Sequence, residues 1–147
     1  MARRFKVVES FKNMGINLPT RKTKYSAGYD FEAGETAHIG PNEIVLISTG
    51  IKAYMEYDEV LVLHIRSSLA VKKRLILANG TGIIDADYVD NKNNEGHIQL
   101  AVWNTGEEII SIKKGEAIAQ GIFLKYLLTC DDAAEKNRIG GFGSTDY

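Results

Sequence analysis

The chain has 147 residues, of which 44% are hydrophobic and 25% charged, a balance that excludes a disordered composition and suits one domain hiding roughly 68–70% of its unfolded surface. A formal net charge of −1 excludes a whole-surface attraction for nucleic acid, so a polyanionic ligand must be held by a few local cations. No apolar run approaches the roughly 20 residues of a membrane-spanning helix, and the basic start MARRFKVVESFK lacks the apolar stretch of a secretory signal. A single cysteine, Cys130, cannot form an internal disulfide. These features predict a soluble, cytoplasmic protein with no nucleic-acid or membrane partner.

In chain order, Gly34 and the Gly40-Pro41 pair precede a strand-like stretch, IVLISTGIKAYM, over residues 44–55. VLVLHI (60–65) follows, and a short helix is predicted over 69–74, with Ser67 or Ser68 placed to cap its first turn. LILAN (75–79) and HIQLAVWN (97–104) are again strand-like, and in the latter Ile98, Leu100 and Val102 alternate with His97, Gln99 and Ala101. A second helical turn is expected in DDAAEK (131–136). Short β-rich runs separated by glycines predict an all-β sandwich or jelly roll with one short helix.

Three segments carry chemistry. In NGTGIIDADY (79–88) Gly80 and Gly82 suggest a tight hairpin whose backbone donors and acceptors can read a flat base edge, with two carboxylates and a tyrosine alongside. The plain alternative is a turn with two surface aspartates. RSSLA (66–70) offers a cation, two hydroxyls and N–H groups at a helix start, suited to anionic oxygens or simply to capping a helix. The end, RIGGFGSTDY, cannot build a core of its own; it reads as a disordered tail or as a glycine-rich segment able to fold over phosphate. His38, His64 and His97 have no zinc-ligand spacing, and Cys130 has no histidine near it in sequence to activate it.

Five segments, AGYDFEA (27–33), RSSLA (66–70), NGTGIIDADY (79–88), GEAIAQ (115–120) and RIGGFGST (138–145), resemble in order and spacing the five motifs of the trimeric dUTPase family, of bacterial or phage type. The resemblance implies a dUTPase-like jelly roll over 1–130, a C-terminal arm over 131–147 that closes a neighbouring subunit's site, and a homotrimer acting on dUTP. It implies that Asp85 activates the attacking water and that Tyr88 packs on the deoxyribose, leaving no room for a 2′-hydroxyl. Asn79 with the backbone of Gly82 and Ile84 would read uracil. Arg66, Ser67, Ser68 and Gln120 would contact the phosphates, and Asp30 would hold Mg²⁺ through water. In the arm, Arg138, Phe142, Gly143, Ser144 and Thr145 would cover the base and wrap the γ-phosphate.

The pattern departs from the family in three places. Tyr88 is followed by VDNKNNEG, an insertion over residues 89–96; Ala117 replaces a common arginine; and Arg138 stands one residue closer to Phe142 than usual, with Asn137 at the arginine position. Two rival readings follow. A dCTP deaminase shares the fold, RSSLA and the EGHIQL-like strand, but Ala101 stands where its glutamate belongs and Val71 where it has an arginine. A nucleotide-sensing regulatory protein would use the same pocket without turnover, with the inserted loop as its surface for a regulatory protein partner.

Overall fold

The computed structural model describes residues 3–143. Its strands are β1 (Arg4–Val7), β2 (Tyr29–Glu32), β3 (Ala37–Ile39), β4 (Ile44–Ser48), β5 (Ile51–Tyr54), β6 (Glu59–Ile65), β7 (Leu75–Leu77), β8 (Gly82–Asp85), β9 (Gln99–Asn104), β10 (Ile110–Ile112) and β11 (Ala117–Lys125), with one α-helix, α1 (Ser67–Lys73), among the described residues. Every pairing is antiparallel. The main sheet runs β2-β11-β6-β8, a second runs β4-β9-β7, and β1-β5 and β3-β10 form two-stranded ribbons. Neighbours in space that are far apart in sequence, such as β2 beside β11 and β4 beside β9, give the jelly roll.

The two sheets meet through alternating side chains. In β6, Leu61 and Leu63 are buried while Val60 and Val62 are half-covered and His64 is exposed. In β9, Leu100 and Val102 point inward, and Ile98 just before it is fully buried, as the alternation predicts. Phe31 from β2 completes the centre with Ile47, Leu75 and Ile118. Gly121 in β11 lets the layers close: a Cβ there would lie 2.8 Å from the Phe31 ring and 2.9 Å from Leu61 and Leu63.

Four local expectations change. The 44–55 run breaks at Gly50, whose φ of +74° ends β4 and sends β5 to pair with β1 instead of β9; a Cβ at this glycine would meet the Phe11 ring at 2.9 Å. Helix α1 starts two residues early, at Ser67, so both serines lie inside its first turn and neither caps it. The capping residue is Arg66, in extended backbone, and Arg74 ends the helix in left-handed conformation. Residues 131–136 form no helix; the chain only turns there, with the Asp132 N–H donating to the Thr129 carbonyl at 3.2 Å. Finally, β7 and β8 do not pair as a hairpin, since β7 joins β9 and β8 joins β6. The Asn79–Thr81 turn therefore bridges two sheets.

His97 ties this framework to pH. Its Nε2 accepts the Gly50 N–H at 2.9 Å, and its ring lies 5.1 Å from that of Phe11. Burial pushes its pKa below the ordinary 6.5, against the opposing pull of Glu35 and Glu95. The unfolded chain then binds this proton more readily than the folded one. This imidazole is indifferent to folding above pH 6.5, opposes it increasingly as pH falls below 6.5, and levels off beneath its folded pKa. Thermal melts are expected to give a lower midpoint at mildly acidic than at neutral pH. The gap should narrow in His97→Gln, whose amide oxygen can accept the same bond without titrating.

Candidate active site

Two of the concavities among the described residues gather the motif positions. The first, about 240 Å³, lies where the 79–81 turn and β8 meet β9, and Asn79, Gly82, Ile84, Asp85 and Tyr88 line it. Strand β8 is the edge of its sheet, so one side of its backbone is unpaired within that sheet and can offer N–H and C=O groups to a flat ligand. A tight turn holds Asp85 and Tyr88 together, with the Tyr88 N–H donating to the Asp85 carbonyl at 3.1 Å. Tyr88 is 7% exposed. Its hydroxyl donates to the His97 carbonyl at 2.9 Å and accepts from Asn94 Nδ2 at 2.7 Å.

The last described residues roof this concavity. Arg138 pairs through Nη2 with the Asp85 carboxylate, and through Nε with Asp87 at 2.8 Å. Its guanidinium carbon stands 6.0 Å from the Tyr88 ring centre. A Cβ on Gly141 would come within 2.8 Å of that ring, so the glycine lets the backbone lie flat on it. Phe142 lines the mouth but keeps most of its surface exposed, and Gly143 ends the described chain. Ser144 and Thr145 lie outside the described residues.

The second concavity, about 210 Å³, is bordered by Asp30, Arg66, Ser67 and Gln120. Asp30 and Gln120 are direct cross-strand partners on β2 and β11. Arg66 Nε approaches Asp30 Oδ1 at 4.0 Å, and Ser68 is exposed on the same first turn of α1. Lys22, Ser26 and Gly28 complete the rim. A Cβ on Gly28 would sit 2.7 Å from Gln120 Oε1, so this glycine leaves room for the glutamine head. Nothing in the spacing of Lys22 and Ser26 singles them out, because they precede the motif and join it only through the fold. Gly28 lies inside the motif, and its signal is the absence of a side chain facing Gln120.

Strand register fixes how far apart the halves are. Asp30 faces Gln120, which faces His64, whereas Asp85 faces Val60 on the same strand β6. Asp30 and Asp85 therefore stand three strand spacings apart, about 14 Å, and are offset along the strands by four residues, about 13 Å more. Within one chain they cannot face the same phosphorus.

A family model described as dUTPase matches residues 15–145. The chain belongs to the dUTPase family. It is 49% identical over 145 residues to the deoxyuridine 5′-triphosphate nucleotidohydrolase of Lactococcus lactis subsp. lactis, covering 97% of each chain. To the enzyme of that name from Escherichia coli K12 it is 33% identical, covering 88% of this chain and 80% of the relative. The crystal structure of dUTPase from Streptococcus mutans superposes with a TM-score of 0.81 at 42% identity, over 85% of this chain and 97% of that one. At 22% identity, the Staphylococcus bacteriophage 80alpha dUTPase shares the fold, with a TM-score of 0.74 over 92% of this chain and 97% of the other. Within this family member, Ala101 borders the first concavity where a deaminase would need a glutamate, so that rival has no proton carrier on β9.

Proposed function

We infer that this chain is a dUTP diphosphatase, hydrolysing dUTP to dUMP and pyrophosphate at sites assembled between the subunits of a homotrimer. The observation that carries the assembled site is the separation of the halves: the concavity with a base-reading edge and the one with phosphate-binding cations lie at opposite edges of one sheet. A carboxylate that activates water must lie within hydrogen-bond reach of it. Asp85 of one subunit therefore faces phosphates held by Asp30's neighbourhood on another. Exposed Ile44, Leu46 and Ile76 on β4 and β7, and exposed Leu127 and Leu128 after β11, supply apolar surface for such contacts. The 131–147 arm is assigned to closing a neighbouring subunit's site, with Arg138 and Phe142 as its working side chains, whereas in the single chain its described end roofs the chain's own concavity.

The uracil edge is read by Asn79 and the β8 backbone at Gly82 and Ile84, and Tyr88 packs against the deoxyribose. Asp85 takes a proton from a water aligned with the α-phosphorus. As the oxygen of that water bonds to phosphorus, the bond from the α-phosphorus to the α,β-bridging oxygen breaks, and pyrophosphate leaves with the electron pair. Arg66, Ser67, Ser68 and Gln120 stabilise its charge. Arg138 must first release Asp85, and a γ-phosphate wrapped also by Gly143, Ser144 and Thr145, with Phe142 laid over the uracil, gives its guanidinium a stronger anion.

The donor set suits Mg²⁺: one partly buried carboxylate, Asp30, beside a phosphate-sized concavity matches an ion that keeps several waters. When bound, Mg²⁺ supplies charge neutralisation to the phosphate chain, with Asp30 holding its water shell. Pyrophosphate release measured with dUTP, UTP, dTTP and dCTP, with Mg²⁺ and with a chelator, tests the proposal. Release from dUTP alone, lost on chelation, is expected. Binding of dUTP without release would instead favour the nucleotide-sensing reading.

A further inference from the structure

The insertion at residues 89–96 turns inward. Its closure is local: the Asp90 N–H donates to the Glu95 carbonyl at 3.0 Å, and Asn91 Oδ1 accepts the N–H groups of Asn93 and Asn94 at 3.0 and 3.1 Å. Gly96 closes the loop at a φ of +80°, where a Cβ would strike the Val89 Cα at 2.6 Å. At its outer end the Lys52 ammonium lies 2.6 Å from both Asp90 and Glu95. Burial alone would lower the Lys52 pKa, but hydrogen bonds to these carboxylates raise it overall, so the clamp stays charged at neutral pH.

The inner end grips Tyr88 at two points. Asn91 Nδ2 donates to the Tyr88 carbonyl at 2.7 Å, and Asn94 Nδ2 donates to the Tyr88 hydroxyl at the same distance. Asn91 Nδ2 also donates to Asn94 Oδ1 at 2.7 Å, so the two amides share one network. The hydroxyl's own proton goes to the His97 carbonyl, so both of its directions are fixed.

We propose that Asn91 and Asn94 are positioning residues for the Tyr88 ring, and that the inserted loop sets discrimination against a 2′-hydroxyl. This deepens the functional reading above and rests on it. A ring free to tilt would open space beside the sugar, whereas a ring pinned at its carbonyl and its hydroxyl excludes the extra oxygen by a fixed wall. Neither amide touches substrate; both act through Tyr88.

Calorimetric binding of dUMP and UMP, paired with kcat/KM for dUTP and UTP, tests this on the full-length protein. In Asn94→Ala the preference for deoxyribose is expected to fall about tenfold in both measurements. Tyr88→Phe, which removes the gripped hydroxyl but keeps the ring, should lose preference in the same direction. Asn93→Ala, at an exposed loop position, should retain it. Equal losses for both sugars in Asn94→Ala, or an unchanged ratio, would overturn the proposal and leave the loop a merely structural tie. A wild-type protein that prefers dUMP over UMP but releases no pyrophosphate would sink the hydrolase reading, while the binding ratio would still decide the role of the loop.

Discussion

Asp85→Asn is expected to slow pyrophosphate release from dUTP by about 10²–10⁴-fold, the range for losing a positioned general base. Binding of dUTP should persist, because the amide keeps the shape of the side chain and Tyr88, Asn79 and the edge of β8 are untouched. The change also removes the negative charge that pairs with Arg138, so the arm should sit more loosely over the concavity. Steady-state kinetics together with equilibrium binding separate these effects: kcat falls while affinity is largely kept. An active Asp85→Asn would dismiss Asp85 as the water-activating group.

The same variant probes how the site is divided. Arg66→Ala damages the phosphate half and leaves Asp85 intact. If the halves meet across subunits, mixing unfolded chains of the two inactive variants and refolding them together regenerates about a quarter of the sites, those taking Asp85 from one parent and Arg66 from the other. If each chain built its own site, mixing would restore nothing. Recovery depends only on which chain supplies which half, so it is blind to how either substitution acts chemically.

Phe31→Ala has the largest expected effect on stability, about 3–5 kcal/mol. The ring is fully buried, with the Phe5 ring edge-on at 5.4 Å and Gly121 packed close against it. Glycine at 121 offers no side chain to refill the space, so the cavity should persist. Because successive residues of β2 point to opposite faces, the lost ring also removes the support behind Asp30. Denaturant titration should show the fall in stability, and the surviving folded protein should bind dUTP more weakly. A stability change below about 1 kcal/mol would mean that the core collapses around the gap.

The core alternation in β9 was legible in the sequence because a period of two leaves little choice of face, whereas β6 reads as a continuous apolar run whose inward face is selected only by the fold. The motif positions were legible too, and the fold gathers Asn79, Gly82, Ile84, Asp85 and Tyr88 round one concavity, and Asp30, Arg66, Ser67 and Gln120 round another. What escaped was set by tertiary pairing. Nothing local announces that Gly50 divides a continuous apolar run between two sheets, or that β7 and β8 take different partners. The start of α1 was misplaced because serines favour capping positions, while the backbone turns helical one residue after Arg66. In sequence the inserted loop read as a lengthened connection that could offer a surface to a partner. Asn91 and Asn94 face inward because they satisfy groups around Tyr88, its carbonyl and hydroxyl and the Gly96 N–H, that the longer connection would otherwise leave buried without partners.

The placement of Asp30 and Asp85 at opposite edges of one sheet also bears on the life of a newly made chain. Among the described residues, the strand pairings and the hydrophobic core are formed within a single copy. If the site is shared as proposed, acquiring structure and acquiring activity are separate events. A chain just released from synthesis is finished as an object and idle as a catalyst, and its abundance, through the chance of meeting two others, decides when it starts work.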